Sequence, residues 1–291
     1  MLKLISRYVI VLVFFCSLSS LFAENKNRLN IATKSDKVDV FRKFVVFIPS
    51  FNNETYCKDN LNSVFEQTYE NYRVVYFDDK STDSTYERVL KIVMESGKSD
   101  KVIIVHNQFN QKNIKNLYDC VHQYCSDDEI VVNLDGDDFF AHPDVLKNLN
   151  AYYQSDDVWM TWGSYKVLST NELGEHAAPI SKKELKYGDI RSLPYCYSHL
   201  KTFYAGLFKK VKKEDLLFRG EFIKLVVDLP TMFPLVEMAR SHAYYIPEIL
   251  YIYNDKNPLS ERNIVARQDC IDVSNYVFSL PRYDSLSTRD W

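Results

Sequence analysis

Between residues 44 and 134, short uninterrupted apolar runs alternate with segments whose apolar positions recur every three or four residues. Phe44-Val45-Val46-Phe47-Ile48, closed by Pro49, reads as a strand buried on both faces. Residues 55–68 place Leu61, Val64 and Phe65 on one helical face, and Arg73 to Phe77 forms a second apolar strand stopped by Asp78-Asp79. Ser81-Thr82-Asp83 offers caps for a helix to about Glu95, with Val89, Leu90 and Val93 inward. A third strand at Val102 to Val105, a helix over 112–125 and a fourth strand at Ile130 to Leu134 complete the series. This alternation predicts an α/β protein with a mostly parallel, doubly wound sheet flanked by helices. Ligands of such sheets bind beyond the carboxyl ends of the strands. Pro49 to Asn53, Asp78-Asp79 and Asp135 to Asp138 all fall there.

The second half is less regular. Val158 to Leu168 reads as a strand, Ser169 to Ile180 as a loop, and Thr202 to Val211 as strand or helix. Leu229 to Ala239 reads as a helix despite two prolines, and Tyr244 to Ile246 and Ile249 to Tyr253 as two short strands. At the N-terminus, Lys3 and Arg7 precede an apolar run and a small-residue stretch before Ala23, the layout of a secretory signal peptide. The run from Tyr8 to Phe22 falls short of the roughly 20 residues that span a bilayer, although an uncleaved anchor is the alternative. The expected organisation is therefore a signal peptide or anchor at 1–23, a linker at 24–43, a nucleotide-binding half at 44–168, an acceptor-side half at 169–262 and a C-terminal tail at 263–291. Such a leader directs the protein to the secretory lumen or out of the cell, or tethers it to a membrane.

A chain of 291 residues can bury a substantial core, and 46% hydrophobic against 26% charged residues argues against global disorder. A formal charge of -3 leaves no basic field to attract nucleic acid. The 21 Tyr and 18 Phe suit either stacking on sugar faces or dense core packing. The cysteines beyond Cys16 show neither a C-x-x-C pair nor zinc spacing and read as buried thiols, with Cys120 and Cys125 pointing different ways from one helix.

The chemistry concentrates at Asp135-Gly136-Asp137-Asp138. Three carboxylates at a strand tip repel one another unless a cation lies among them. A hard divalent ion, Mg²⁺ or Mn²⁺, held by one or two carboxylates and by substrate phosphates answers that need, and turns a diphosphate into a good leaving group. A calcium loop would want Gly and Glu where Phe140 and Leu146 stand. A phosphatase with an Asp nucleophile in D-x-D would open its domain with that strand, whereas three strands precede this one.

These pieces together resemble the inverting family 2 glycosyltransferases of the GT-A fold. Val46 to Asn52 is similar to the family's first strand and its I-P-x-Y/F-N turn, and Ser63 to Tyr69 followed by Tyr72 to Phe77 resembles its second-strand segment. Asp78-Asp79-Lys80-Ser81-Thr82-Asp83 resembles D-D-G-S-T-D with Lys80 for Gly, Asn107 to Asn116 resembles its asparagine-rich stretch, and Asn133 to Asp138 its metal motif. The resemblance implies that Pro49, Phe51 and Glu54 line a nucleotide pocket, that Asp78 or Asp79 bonds the base, that Asp135 approaches ribose or metal, and that Asp137 is the main metal ligand. It implies a carboxylate base near the start of a later helix, for which Asp228 in Val226-Val227-Asp228-Leu229 is the match, with Glu221 and Glu237 as fallbacks. Asp228 would sit in an apolar setting that raises its proton affinity, and a helix cap is its alternative role. Tyr251-Ile252-Tyr253-Asn254 resembles the closing Y-R-x-H segment, with Lys256 where a metal-binding His is common. His199, Lys256 and Trp162 are candidates for acceptor or diphosphate contact, as is Trp159 for sugar stacking. Five lysines between Lys201 and Lys213 suit an anionic acceptor or membrane proximity, or a solvated face. The implied partners are a nucleotide-sugar, UDP-sugar favoured, and a glycan, lipid or protein hydroxyl. A silent sugar- or nucleotide-binding protein of the same fold is the alternative, ahead of the phosphatase.

Overall fold

In a computed structural model of the protein, residues 40–259 and 267–291 are described. The expected leader at 1–23 and all but the end of the linker lie outside these residues. The apolar runs form strands as their pattern requires: β1 (Phe44–Ser50), β2 (Tyr72–Asp78), β3 (Val102–His106) and β4 (Ile130–Asn133). Between them run helices α1 (Cys57–Phe65), α2 (Thr85–Glu95) and α3 (Lys112–Tyr124). The short β5 (Phe139–Phe140), helix α4 (Val145–Tyr153) and β6 (Met160–Val167) follow, then helix α5 (Lys182–Tyr187) and β7 (Lys201–Tyr204). Helix α6 (Ala205–Lys209), the hairpin β8 (Leu217–Phe218) and β9 (Glu221–Phe222), α7 (Asp228–Ala239), β10 (Ala243–Tyr253) and α8 (Arg267–Ser279) complete the chain.

Eight strands form one sheet in the order β3-β2-β1-β4-β7-β6-β10-β5. The first four are parallel, so β1 lies in the middle with all seven residues buried, and edge strand β3 leaves Ile103 exposed. The sheet is nevertheless mixed, because β7 inserts antiparallel between β4 and β6. Thr202 to Val211, open between strand and helix, is both: the strand ends at Tyr204 and α6 starts at Ala205. The two short strands expected near 244–253 are one strand, irregular between Ile246 and Ile249 and again before Tyr251. Pro247 explains the first break, since it has no N–H for the ladder.

Two buried charge networks fasten this frame. Arg73 on β2 pairs with Glu129, which also accepts from Lys43 and from the Ser126 N–H, each at 2.8 Å. Burial pushes the Glu129 carboxyl up, but these donors win and hold it at about 2. Arg191 and Glu237 pair at 2.7 and 2.9 Å, and the same guanidinium donates to the carbonyls of Val277, Leu280 and Pro281. That fork secures the chain after α8, and Trp291 packs against Gly206, where a Cβ would lie 1.9 Å from the indole. Residues 40–291 thus form one compact unit. No helix among the described residues is long and apolar enough to cross a membrane.

Candidate active site

The carboxyl ends of β1, β2 and β4 open into a cleft of about 440 Å³. On one side Pro49, Ser50, Phe51, Asn53 and Asp79 line the wall, facing Asn110, Lys112 and Asn116 at the start of α3. Asn52 takes φ +54°, a conformation that Asn tolerates better than most residues, and its side chain accepts from the Thr82 N–H at 2.8 Å. Lys80 holds φ +65°, so the lysine occupies a backbone state that suits glycine. Asp79 accepts from Asn107 Nδ2 at 2.8 Å, Gln111 N at 2.7 Å and Lys112 N at 2.8 Å, locking its carboxylate beside the cleft.

Of the two aspartates at the end of β2, only Asp79 lines the cleft. Asp78 is fully buried and its Oδ2 lies 2.8 Å from His106 Nδ1. Glu54 is also displaced from its expected place, since its carboxylate accepts from the Ser84 N–H and splints two loops together. Asn53 takes the place in the wall that Glu54 was expected to fill.

Asp135 to Asp138 forms the floor. Gly136 is required there, because a Cβ would lie 2.7 Å from Ser50 Cβ and 2.8 Å from the Pro49 carbonyl oxygen. Asn60 on α1 grips the loop from below, donating to the carbonyls of Asp135 and Asp138 at 2.9 and 2.8 Å. The three carboxylates differ. Asp138 is buried and accepts from the Tyr251 hydroxyl and, at 2.7 Å, from the Asn254 N–H, so it anchors the segment after β10. Burial and the neighbouring Asp137 and Asp135 push its carboxyl up, and burial likewise raises Asp137. Asp135 is driven up to about 6 by burial, against the pull of Lys201.

Asp137 lines the cleft, and one of its carboxylate oxygens accepts from Asn257 at 2.7 Å. Asp137 with Asp135 fits a divalent cation that completes its shell with phosphate oxygens and water. Among the described residues no group of three His, Cys, Asp or Glu side chains is arranged to hold a metal by itself.

Across the cleft stands Asp228, the first residue of α7. It does not cap the helix: the cap position belongs to Val227, which makes no side-chain cap bond. Nor is the carboxylate isolated in an apolar setting. It pairs with Lys201 of β7, an almost completely buried lysine that β4–β7 pairing sets opposite Asn133. Burial pushes Asp228 up, but the Lys201 ammonium and His199 outweigh it and hold the carboxyl below its usual range. The raised proton affinity expected of it is therefore reversed by a buried cation.

The remaining candidates separate cleanly. His199 lines the cleft, stacked on Tyr251 at 4.3 Å between ring centroids. Trp162 is core, packed against Tyr197 with its indole N–H on the Ala178 carbonyl. Trp159 stacks on His242, outside the cleft lining. Lys256 is exposed and does not line the cleft, whereas Asn257, one residue on, does. Glu237 is consumed by Arg191 and Glu221 pairs with Lys224 on the surface, so neither replaces Asp228. Of the five lysines grouped by sequence, Lys201 enters the site, while Lys209 pairs with Asp127 and Lys213 lies over Tyr118. Cys120 and Cys125 do not point apart: α3 ends at Tyr124, Cys125 turns extended, and the two thiols interact.

The mixed, mostly parallel eight-stranded sheet flanked by helices, with the acidic tip of β4 at its cleft, defines a GT-A fold. The chain belongs to glycosyl transferase family 2, whose family model matches residues 45–212. It is 29% identical over 157 residues to an uncharacterised glycosyltransferase of Haemophilus influenzae, covering 53% of this chain and 45% of that protein. The chain thus spans about half the length of curated relatives such as this one. In fold it is similar to S. aureus TarS solved with UDP-GlcNAc, at TM-score 0.61 and 19% identity, covering 81% of this chain and 65% of that one. It is also similar to glucosyl-3-phosphoglycerate synthase from Mycobacterium tuberculosis, solved with Mn²⁺, UDP and phosphoglyceric acid, at TM-score 0.56 and 15% identity, covering 82% and 80%.

Proposed function

We propose that the protein transfers a sugar from a UDP-sugar to a hydroxyl acceptor with inversion at the anomeric carbon. One observation carries this reading: Asp135 and Asp137 at the tip of β4, the Pro49–Asp79 wall and Asp228 of α7 converge on a single cleft. Phe51 offers a ring face and Asp79 a fixed carboxylate in the wall where a base would lie, and TarS and the synthase, both of this fold, were solved with uridine nucleotides. A divalent cation on Asp137 and Asp135 would neutralise the diphosphate and so ease its departure. Asp228, ionised and open to the cleft, takes the acceptor's hydroxyl proton as that oxygen attacks the anomeric carbon. The bond from carbon to the diphosphate oxygen breaks on the opposite face, its electron pair leaving with UDP. His199 and Tyr253 border the space beside Asp228, where an acceptor would enter.

The test is UDP release from a panel of UDP-sugars in the presence of a panel of glycan, lipid-linked and peptide hydroxyl acceptors, with Mn²⁺ and again with excess chelator. Release with at least one sugar, abolished by chelation, is expected. Metal-dependent UDP binding without release from any sugar would instead favour the silent binding protein.

A further inference from the structure

Lys201 stands beside this cleft, paired with Asp228 in a way that the resemblance did not anticipate. It rises from β7 into a second, smaller cavity of about 30 Å³ behind the main one, lined by Asn133, Asp135, Asp228 and Thr231 among others. That volume holds a water molecule and little more. Lys201 is the one cation among the described residues that line this cavity, and it faces Asp228 directly and Asp135 and Asp138 at longer range. A buried ammonium is stable only when paired, and its partner is the carboxylate that stands in the position of the base.

We propose that Lys201 is a positioning residue for sugar transfer. It holds Asp228 Oδ1, so that the carboxylate keeps one orientation and turns Oδ2 toward the acceptor. This role rests on the reading of Asp228 as the base. The geometry favours it over direct contact with the donor for two reasons. Lys201 lines the smaller cavity and not the main cleft, and its ammonium is already engaged by Asp228, whose own side chain remains 41% exposed. An unpaired Asp228 at the first turn of α7 would swing among rotamers, and a general base loses most of its effect when its geometry is loose.

Four variants compared with wild type test this: Lys201→Met, Lys201→Arg, Asp228→Asn and the Lys201→Met/Asp228→Asn double. Each is assayed for UDP release from the donor accepted by wild type, and for UDP affinity by titration calorimetry with Mn²⁺. Lys201→Met is expected to lower kcat about 100-fold with donor KM and UDP affinity within about twofold of wild type. Lys201→Arg should recover at least about tenfold of that loss, because a guanidinium can still pair with the carboxylate. In the Asp228→Asn background the Met change should cost nothing further, since the two residues act as one unit. Costs that multiply in the double variant, or a loss of UDP affinity of about tenfold or more, would overturn the role and make Lys201 a diphosphate contact. If Lys201→Met fails to fold, Lys201→Arg alone decides by its UDP affinity and kcat. A wild type that binds UDP yet releases none from any sugar sinks the transfer reading and this role with it, whereas an active wild type with multiplying costs sinks Lys201 alone.

Discussion

Replacing Glu129 by Gln tests the buried network that fixes the start of β4, the strand whose far end carries Asp135. The Glu129 side chain is only 3% exposed, so solvent screens its ion pair with Arg73 little. Its carboxyl is held at about 2 against an ordinary 4.5, a displacement of about 2.5. At 1.36 kcal/mol per pH unit, that is worth about 3 kcal/mol of folding free energy. Because the folded value is the lower one, this stability is fully present above pH 4.5 and is lost as pH falls toward 2. Urea unfolding of wild type and Glu129→Gln, followed by tryptophan fluorescence from pH 7 to pH 2.5, measures it. At pH 7 the variant should be less stable by at least about 3 kcal/mol, since it also leaves Arg73 short of a charged partner. That gap should then narrow steadily below pH 4.5, every other carboxyl titrating alike in both proteins. Two stability curves that stay parallel through that window would refute the electrostatic assignment.

Three further outcomes are expected. Asp228→Asn should lower kcat for sugar transfer by about 10²- to 10⁴-fold while leaving UDP affinity within about twofold; a variant keeping half of wild-type turnover excludes Asp228 as the base. Gly136→Ala forces a methyl group against Ser50 and the Pro49 carbonyl, so it should cost about 1–3 kcal/mol by thermal unfolding and weaken UDP binding measured by calorimetry. Lys80→Gly removes a Cβ from a residue at φ +65° and should raise stability by about 0.5–1 kcal/mol, read as a higher melting temperature with UDP affinity unchanged.

Much of the parallel half was legible because strands buried on both faces run apolar, as β1 does from Phe44 to Pro49. The acidic tip of β4 was legible for the opposite reason, since three charges at the end of such a run stand out against it, although pattern did not reveal that Asp138 is a buried anchor. What pattern could not supply was partnership between distant residues. Lys201 stood among surface lysines in sequence, and only antiparallel insertion of β7 beside β4 carries it to Asp228. Its one local signal is the flanking Leu200 and Phe203, which make a solvated lysine there improbable. Asn60 and Asn257 carry no periodic signal, because each acts through a single amide aimed at a loop far away in the chain. Trp162 shows the converse: an aromatic residue suited to sugar stacking was taken by the core.

The hydrogen bonds of Asp138 have a consequence for how this cluster should be probed. It lies beside Asp137 in sequence, yet its two partners, Tyr251 and Asn254, come from the end of β10 and the segment after it. A mutational survey scored only on turnover would rank the two neighbours as equals and credit both with chemistry. Scored on proteolytic resistance of residues 254–259, the same survey would find Asp138 variants cut more readily, since Asp138 accepts from both Tyr251 and the Asn254 N–H whereas Asp137 holds this segment through Asn257. Asp138 is therefore a buried pin for the chain after β10, one residue from the carboxylate proposed to hold a cation, a distinction that a loss of activity alone does not make.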